Sequence, residues 1–241
     1  MHDIVYDHIH DEIVVPSPLT QAIISFRGAA NGEEAPLRII QGSQTRILGV
    51  GALGKVAIDP HNNEILIATP NNEILVFDRE ANGNVVPKRV LGGPDTRIRM
   101  PQQTDGGGNV PTVRIDPIHN LLVVPTGSGN NGGGDVLIFD RTASGNTPPR
   151  AIIRGPVRMG NQFDVYAPKR RMVTYTQGHI EIRTIPLSGE STEPPVRIPA
   201  PFPGRRGAGD GVALNPLHKE VYIATAAGNS ILTYSVPEAF D

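Results

Sequence analysis

A unit of about fifty residues recurs along this chain, and no other feature restricts its fold as much. It is clearest from Val56 to Gly92. There Val-Ala-Ile-Asp-Pro-His-Asn-Asn-Glu-Ile-Leu-Ile-Ala-Thr is followed by Glu-Ile-Leu-Val-Phe-Asp-Arg-Glu-Ala-Asn-Gly-Asn and then by Pro-Lys-Arg-Val-Leu-Gly-Gly. Short apolar runs rich in Ile, Val and Leu alternate with Asn, Gly and Pro clusters, which is the pattern of four strands joined by turns. A single antiparallel meander of this kind has two apolar faces and buries both only when flanked by copies of itself.

The copies align on the residue that ends the first strand of each: Asp7, Asp59, Asp116, Tyr166 and Asn215. Six residues after each anchor an apolar strand resumes, at Ile13, Ile65, Leu122, Met172 and Val221. After the third strand come Ala30-Asn31-Gly32, Ala81-Asn82-Gly83, Ala143-Ser144-Gly145 and Leu187-Ser188-Gly189, residues that favour a reversing chain. Pro36-Leu37-Arg38, Pro87-Lys88-Arg89, Pro148-Pro149-Arg150 and Pro195-Val196-Arg197 then open a fourth strand, where proline suits an outer edge.

A fifty-residue period with four strands per unit predicts an all-β chain and a single β-propeller domain of five four-stranded blades, over about 1–48, 49–99, 100–159, 160–204 and 205–241. The last blade is incomplete, stopping after its third strand at Ser230 to Ser235, and no spare strand precedes Ile4. The alternative is part of a six-bladed ring. Unpaired edges at such a seam predict a partner or a homo-oligomer there.

The phrases Val-Ala-Ile-Asp-Pro, Ile-Leu-Val-Phe-Asp-Arg-x-Ala-Asn-Gly-Asn and Pro-x-Arg-x-Ile/Leu-x-Gly resemble the repeats of bacterial NHL and YVTN-type propellers of the six-bladed, TolB-like group, over nearly the whole chain. The resemblance implies the blade. It leaves the activity open, because this repeat carries many functions.

With no cysteine, disulfides, zinc-thiolate centres and thiol catalysis are excluded, and a net charge of −2 gives no field for nucleic acid or an anionic membrane. No apolar run of membrane-spanning length occurs, so membrane insertion is not expected. The compartment stays open: exported if the chain is a mature fragment, otherwise cytoplasmic.

Strands that alternate in direction send the turns after strands two and four to one end of each sheet. In the third copy both of these connections are long and glycine-rich. Asp105, Asn109, Asn130, Asn131 and Asp135 there offer oxygen ligands to calcium or hydrogen bonds to a sugar, and a mobile hairpin tip is the bland alternative. Gly127-Ser-Gly-Asn-Asn-Gly132 matches a dinucleotide fingerprint only formally, since it opens no helix.

Arg46, Arg97 and Arg158 recur at one position, with Arg205 and Arg206 in the matching connection of the fourth copy and Asp210 after them. They suit a carboxylate or phosphate clamp, or else a structural role inside the repeat. His10, His119 and His218 read as exposed turn residues one per copy, and Asp7, Asp59 and Asp116 as side chains that cap their own turns. Asp164 is either a channel residue or a bond between blades. The expectation is a non-enzymatic binding and assembly module for a protein partner, with no catalytic residue, cofactor or metal assigned. A metal-dependent propeller enzyme of the lactonase or lyase kind is the alternative, although the lone first-strand Glu that a gluconolactonase-type site implies has no counterpart here.

Overall fold

The computed structural model describes residues 4–47, 55–100, 112–126, 134–157, 163–201, 211–225 and 230–241. Sheet one is formed by β1 (Val5–Asp7), β2 (Glu12–Ser17), β3 (Ala22–Arg27) and β4 (Arg38–Gln41) in that order, and sheet two by β5 (Val56–Asp59), β6 (Glu64–Thr69), β7 (Glu73–Asp78) and β8 (Arg89–Gly92). The third copy supplies β9 (Arg114–Asp116), β10 (Leu121–Pro125), β11 (Gly134–Asp140) and β12 (Ala151–Val157). The fourth supplies β13 (Phe163–Tyr166), β14 (Arg171–Thr176), β15 (His179–Thr184), β16 (Gly189–Ser191) and β17 (Val196–Pro199). Sheet five has three strands, β18 (Gly211–Asn215), β19 (Glu220–Thr225) and β20 (Ser230–Ser235).

The first strand of every copy ends on its anchor, and the second begins one residue before the expected apolar position. Each sheet is an antiparallel meander of the propeller-blade kind, but the count is not four throughout. β16 pairs in parallel with β12 and makes sheet three five-stranded, in the order β16-β12-β11-β10-β9.

The chain divides into two compact units, Met1–Ile115 with Thr142–Pro148, and Asp116–Arg141 with Pro149–Asp241. In the first, sheets one and two pack through Val14, Ile23, Ile40 and Ile47 against Val56, Ile65, Ile67, Leu75 and Phe77. Every residue of β6 is buried, as a strand covered on both faces requires. In the second, Leu121, Val123, Val136 and Ile138 pack against Phe163, Met172 and Ile185, while Val173, Tyr175, Ile180 and Ile182 on the other face of sheet four meet Val212, Val221 and Ile223 of sheet five. Each such aliphatic side chain contributes about 1.5–3 kcal/mol on burial, so stacking rather than any single sheet supplies the stability.

The fourth strands correct two expectations. Pro36, Pro87, Pro148 and Pro195 all precede the strands rather than lying in them. Nor are the outer edges bare. The Gly83 amide donates to the Ile39 carbonyl at 2.7 Å and its own carbonyl accepts from Gln41 at 3.1 Å, so the turn of copy two grips β4. Gly145 grips β8 in the same way through Val90 and Gly92, and the Gly189 amide bonds the Arg150 carbonyl next to β12. Positive φ at Gly83 (79°), Gly145 (62°) and Gly189 (73°) turns each amide toward the strand it grips.

Register also refines the arginine motif. Arg38 lies opposite Ser25 and Arg89 opposite Val76, matching positions, but in the third copy Ala151 holds that place, and in the fourth Val196 does. Arg150 therefore stands one residue early and Arg197 one late. Arg38 and Arg89 reach carboxylates on the second strand, Glu12 and Glu64, whereas Arg150 and Arg197 reach Asp140 and Glu181 on the third.

Candidate functional site

Connections after the second and fourth strands leave each sheet at one end, where the sequence reading expects the candidate residues. Asp105, Asn109, Asn130, Asn131, Arg158, Arg205, Arg206 and Asp210 lie outside the described residues. Arg97 and Asp135 are described, with surroundings of different kinds.

Arg97 ends a short 3-10 turn, Pro94–Thr96, in the left-handed conformation, φ 59°, and its side chain is exposed. Gly93 (φ 126°) opens this turn, and buried Thr96 donates its hydroxyl to the Gly93 carbonyl at 2.6 Å and accepts the Ile98 amide at 3.2 Å. The Asp95 amide donates to Asn146 Oδ1 at 2.7 Å, which ties the turn to the following copy. Copy one repeats the construction with Gly42, Thr45, Arg46 and Asn84. Arg46 donates to Glu73 at 2.6 Å, a structural pairing. Copy three departs, because Val157 continues strand β12 where Thr45 and Thr96 sit in turns. Val157 therefore does not share the local geometry of Thr45 and Thr96.

Asp135 is half-buried and held by its neighbours. Its Oδ2 accepts from Arg154 Nη1 and its Oδ1 from the Gly155 amide, both at 2.7 Å, and its carbonyl accepts the Thr126 amide and hydroxyl, both at 2.9 Å. Arg154 also binds Glu190, and these two carboxylates, Glu190 foremost, raise its pKa above the ordinary guanidinium value. The residues from 127 to 133 thus spring from a stem pinned at both ends.

The anchor carboxylates act as read from the sequence. Asp7 Oδ1 accepts the Ile9 and His10 amides at 3.0 Å, Asp116 repeats this with Ile118 and His119, and Asp59 caps Asn62. Burial pushes the Asp7 carboxyl up, but the hydrogen bonds from His10 and Ile9 outweigh it and hold it below its ordinary value. His10 and His119 are not merely exposed turn residues. Each is half-buried with Nδ1 against the anchor carboxylate, at 2.7 and 2.8 Å. Asp164 resolves as a bond between sheets: its Oδ2 accepts the Leu214 amide of β18 at 3.2 Å. Among the described residues no three carboxylate or imidazole groups converge as a metal ion would require.

Pattern reading missed a buried ion cluster. Glu12 on β2 accepts Arg38 from its own sheet and Arg79, at 2.9 Å, from the next copy. Arg79 also bonds Asn63 and Glu80. The signal was present, since a Glu stands five residues past the anchor at Glu12, Glu64 and Glu220.

No known sequence family matches the chain, and no curated protein does. The chain is similar in fold to many solved structures. One of them, from a structure titled "Crystal Structure of Mitotic Checkpoint Complex", superposes with a TM-score of 0.59 at 11% identity, over 94% of this chain and 59% of the other. The chain therefore spans about three fifths of that protein's length. At this identity the likeness shows the fold alone, a β-propeller. No helix among the described residues is long and apolar enough to cross a membrane.

Proposed function

We propose that this chain is a non-enzymatic binding and assembly module that holds a protein partner on the sheet end carrying the long connections. One observation carries the reading: Thr126, Asp135, Arg154 and Gly155 form a hydrogen-bonded stem on either side of residues 127–133, where copies one, two and four have tight turns at Thr20-Gln21, Asn72 and Gln177-Gly178. By contrast, most of the recurring arginines form ion pairs within a sheet or with the next copy, as Arg38, Arg46, Arg79, Arg89, Arg150 and Arg197 do. Recognition then falls to what differs between copies. Asn130 and Asn131 within residues 127–133, Asp105 and Asn109 on the preceding connection, and Arg97, Arg158, Arg205, Arg206 and Asp210 on the other connections are its proposed contacts. The fold match to a protein from a multiprotein complex is consistent with this use.

Replacing residues 127–133 with an Asn-Gly turn is expected to leave thermal unfolding unchanged while abolishing partner retention, first in affinity capture and then with the purified partner. Retention by the shortened chain would refute the address. Calcium, zinc and manganese are expected to leave the melting temperature unmoved; a saturable rise with one ion would favour the metal-dependent enzyme, because a ligand bound only by the native state raises its melting point.

A further inference from the structure

The third strands β3, β7, β11 and β15 are each covered by a fourth strand, but β20 pairs only with β19 among the described residues. The residues that follow do not fill the place. Val236, Ala239 and Phe240 turn back into the core between sheets four and five, where Phe240 meets Tyr166 edge-on at 5.0 Å.

Three features of sheet five match the places that receive a fourth strand in sheets one and two. Ile231 occupies the register of Ile23 and Ile74, which lie opposite Ile40 and Leu91 of the fourth strands. Ile23 and Ile74 are buried on sheet faces, Ile23 against sheet two, whereas Ile231 lies 74% exposed on a face of β20 that it shares with exposed Thr233 and Ser235. Glu220 occupies the place of Glu12 and Glu64, which hold Arg38 and Arg89. Among the described residues Glu220 has only neutral partners, Asn215 Nδ2 at 3.2 Å and the Tyr222 hydroxyl at 2.9 Å. Thr233 occupies the register of Ser25 and Val76, the residues that face those arginines.

We propose that β20 accepts an extended peptide segment from a partner protein as a fourth, antiparallel strand of sheet five. The segment carries an arginine opposite Thr233 that pairs with Glu220, and an apolar residue two positions later that lies opposite Ile231. Main-chain hydrogen bonds along the β20 edge supply affinity, and the Arg–Glu pair with the Ile231 contact supplies register, the usual division in strand addition. The site is separate from the connection proposed above to hold a partner, and its test is independent of it.

The probe is a synthetic peptide of this chain's own fourth-strand sequence, residues 85–93, added to the full chain. Saturable binding with new amide protection along β20 is expected. Replacing the peptide arginine by glutamate should weaken binding at least tenfold, and E220R should restore binding of that glutamate peptide. The variant with residues 127–133 shortened should bind as tightly as the intact chain, so failure here is distinguishable from failure of the connection reading. Absence of binding, or binding indifferent to both charges, overturns the proposal. Concentration-dependent self-association abolished by Leu232→Pro also overturns it, because the occupant would then be a second copy.

Discussion

Gly42 and Gly83 show how much of this molecule rests on backbone conformation. Gly42 lies at φ 129°, and a Cβ there would stand 2.4 Å from Asn84 Oδ1, the atom that accepts the Gln44 amide. Gly83 has φ 79° with open space around its missing Cβ. Gly83→Ala is therefore expected to cost about 1–2 kcal/mol from the left-handed backbone alone. Gly42→Ala should cost about 3 kcal/mol, since strain and a lost hydrogen bond add. Urea denaturation of the pair checks the order. At Glu64, burial pushes the carboxyl up, but the Arg89 and Lys88 hydrogen bonds prevail and bring it from 4.5 down to about 2. A depressed carboxylate stabilises fully above its ordinary value, and that contribution is lost as pH falls through the folded value. Glu64→Gln should therefore remove acid-dependent loss between 4.5 and about 2, measured by denaturation midpoints over that range. Asp7 acts with the same sign, so Asp7→Asn should flatten the acid limb further.

Between elements, the decisive contacts run from one copy to the next. Arg79 reaches back to buried Glu12, Asn84 and Asn146 hold the turns after β4 and β8, and Arg46 reaches forward to Glu73. Arg79→Ala is expected to destabilise by about 3 kcal/mol, because it removes one partner from a buried carboxylate. Exposed Arg27–Glu34, screened by solvent, should contribute far less. Chemical denaturation of Arg79→Ala beside Arg27→Ala checks that contrast. Strand positions were legible because turn chemistry and apolar runs are local. The grip of the turns at Gly83, Gly145 and Gly189 on the preceding fourth strand was not, since a hairpin-type turn and a clasp have the same residues. Arg150 and Arg197 misled for a related reason: a one-residue shift of register leaves the motif intact and changes the carboxylate reached.

At the scale of the whole chain, five meanders succeed one another, and within each unit sheets one, three and four gain an apolar face from the sheet that follows. Repetition made this legible, as every anchor from Asp7 to Asn215 ends its strand. The candidate site was less legible. Of the residues singled out, Asp135 proved a structural pin, and the departures from the repeat, where recognition is proposed, do not name what is recognised. The link between successive copies is tested most directly by amide exchange at the four equivalent glycines. Gly83, Gly145 and Gly189 donate their amides to the preceding copy, whereas Gly32, at φ 59° in the same turn, has no acceptor among the described residues. The three should exchange at least a hundredfold more slowly than Gly32; equal rates at all four would contradict the account.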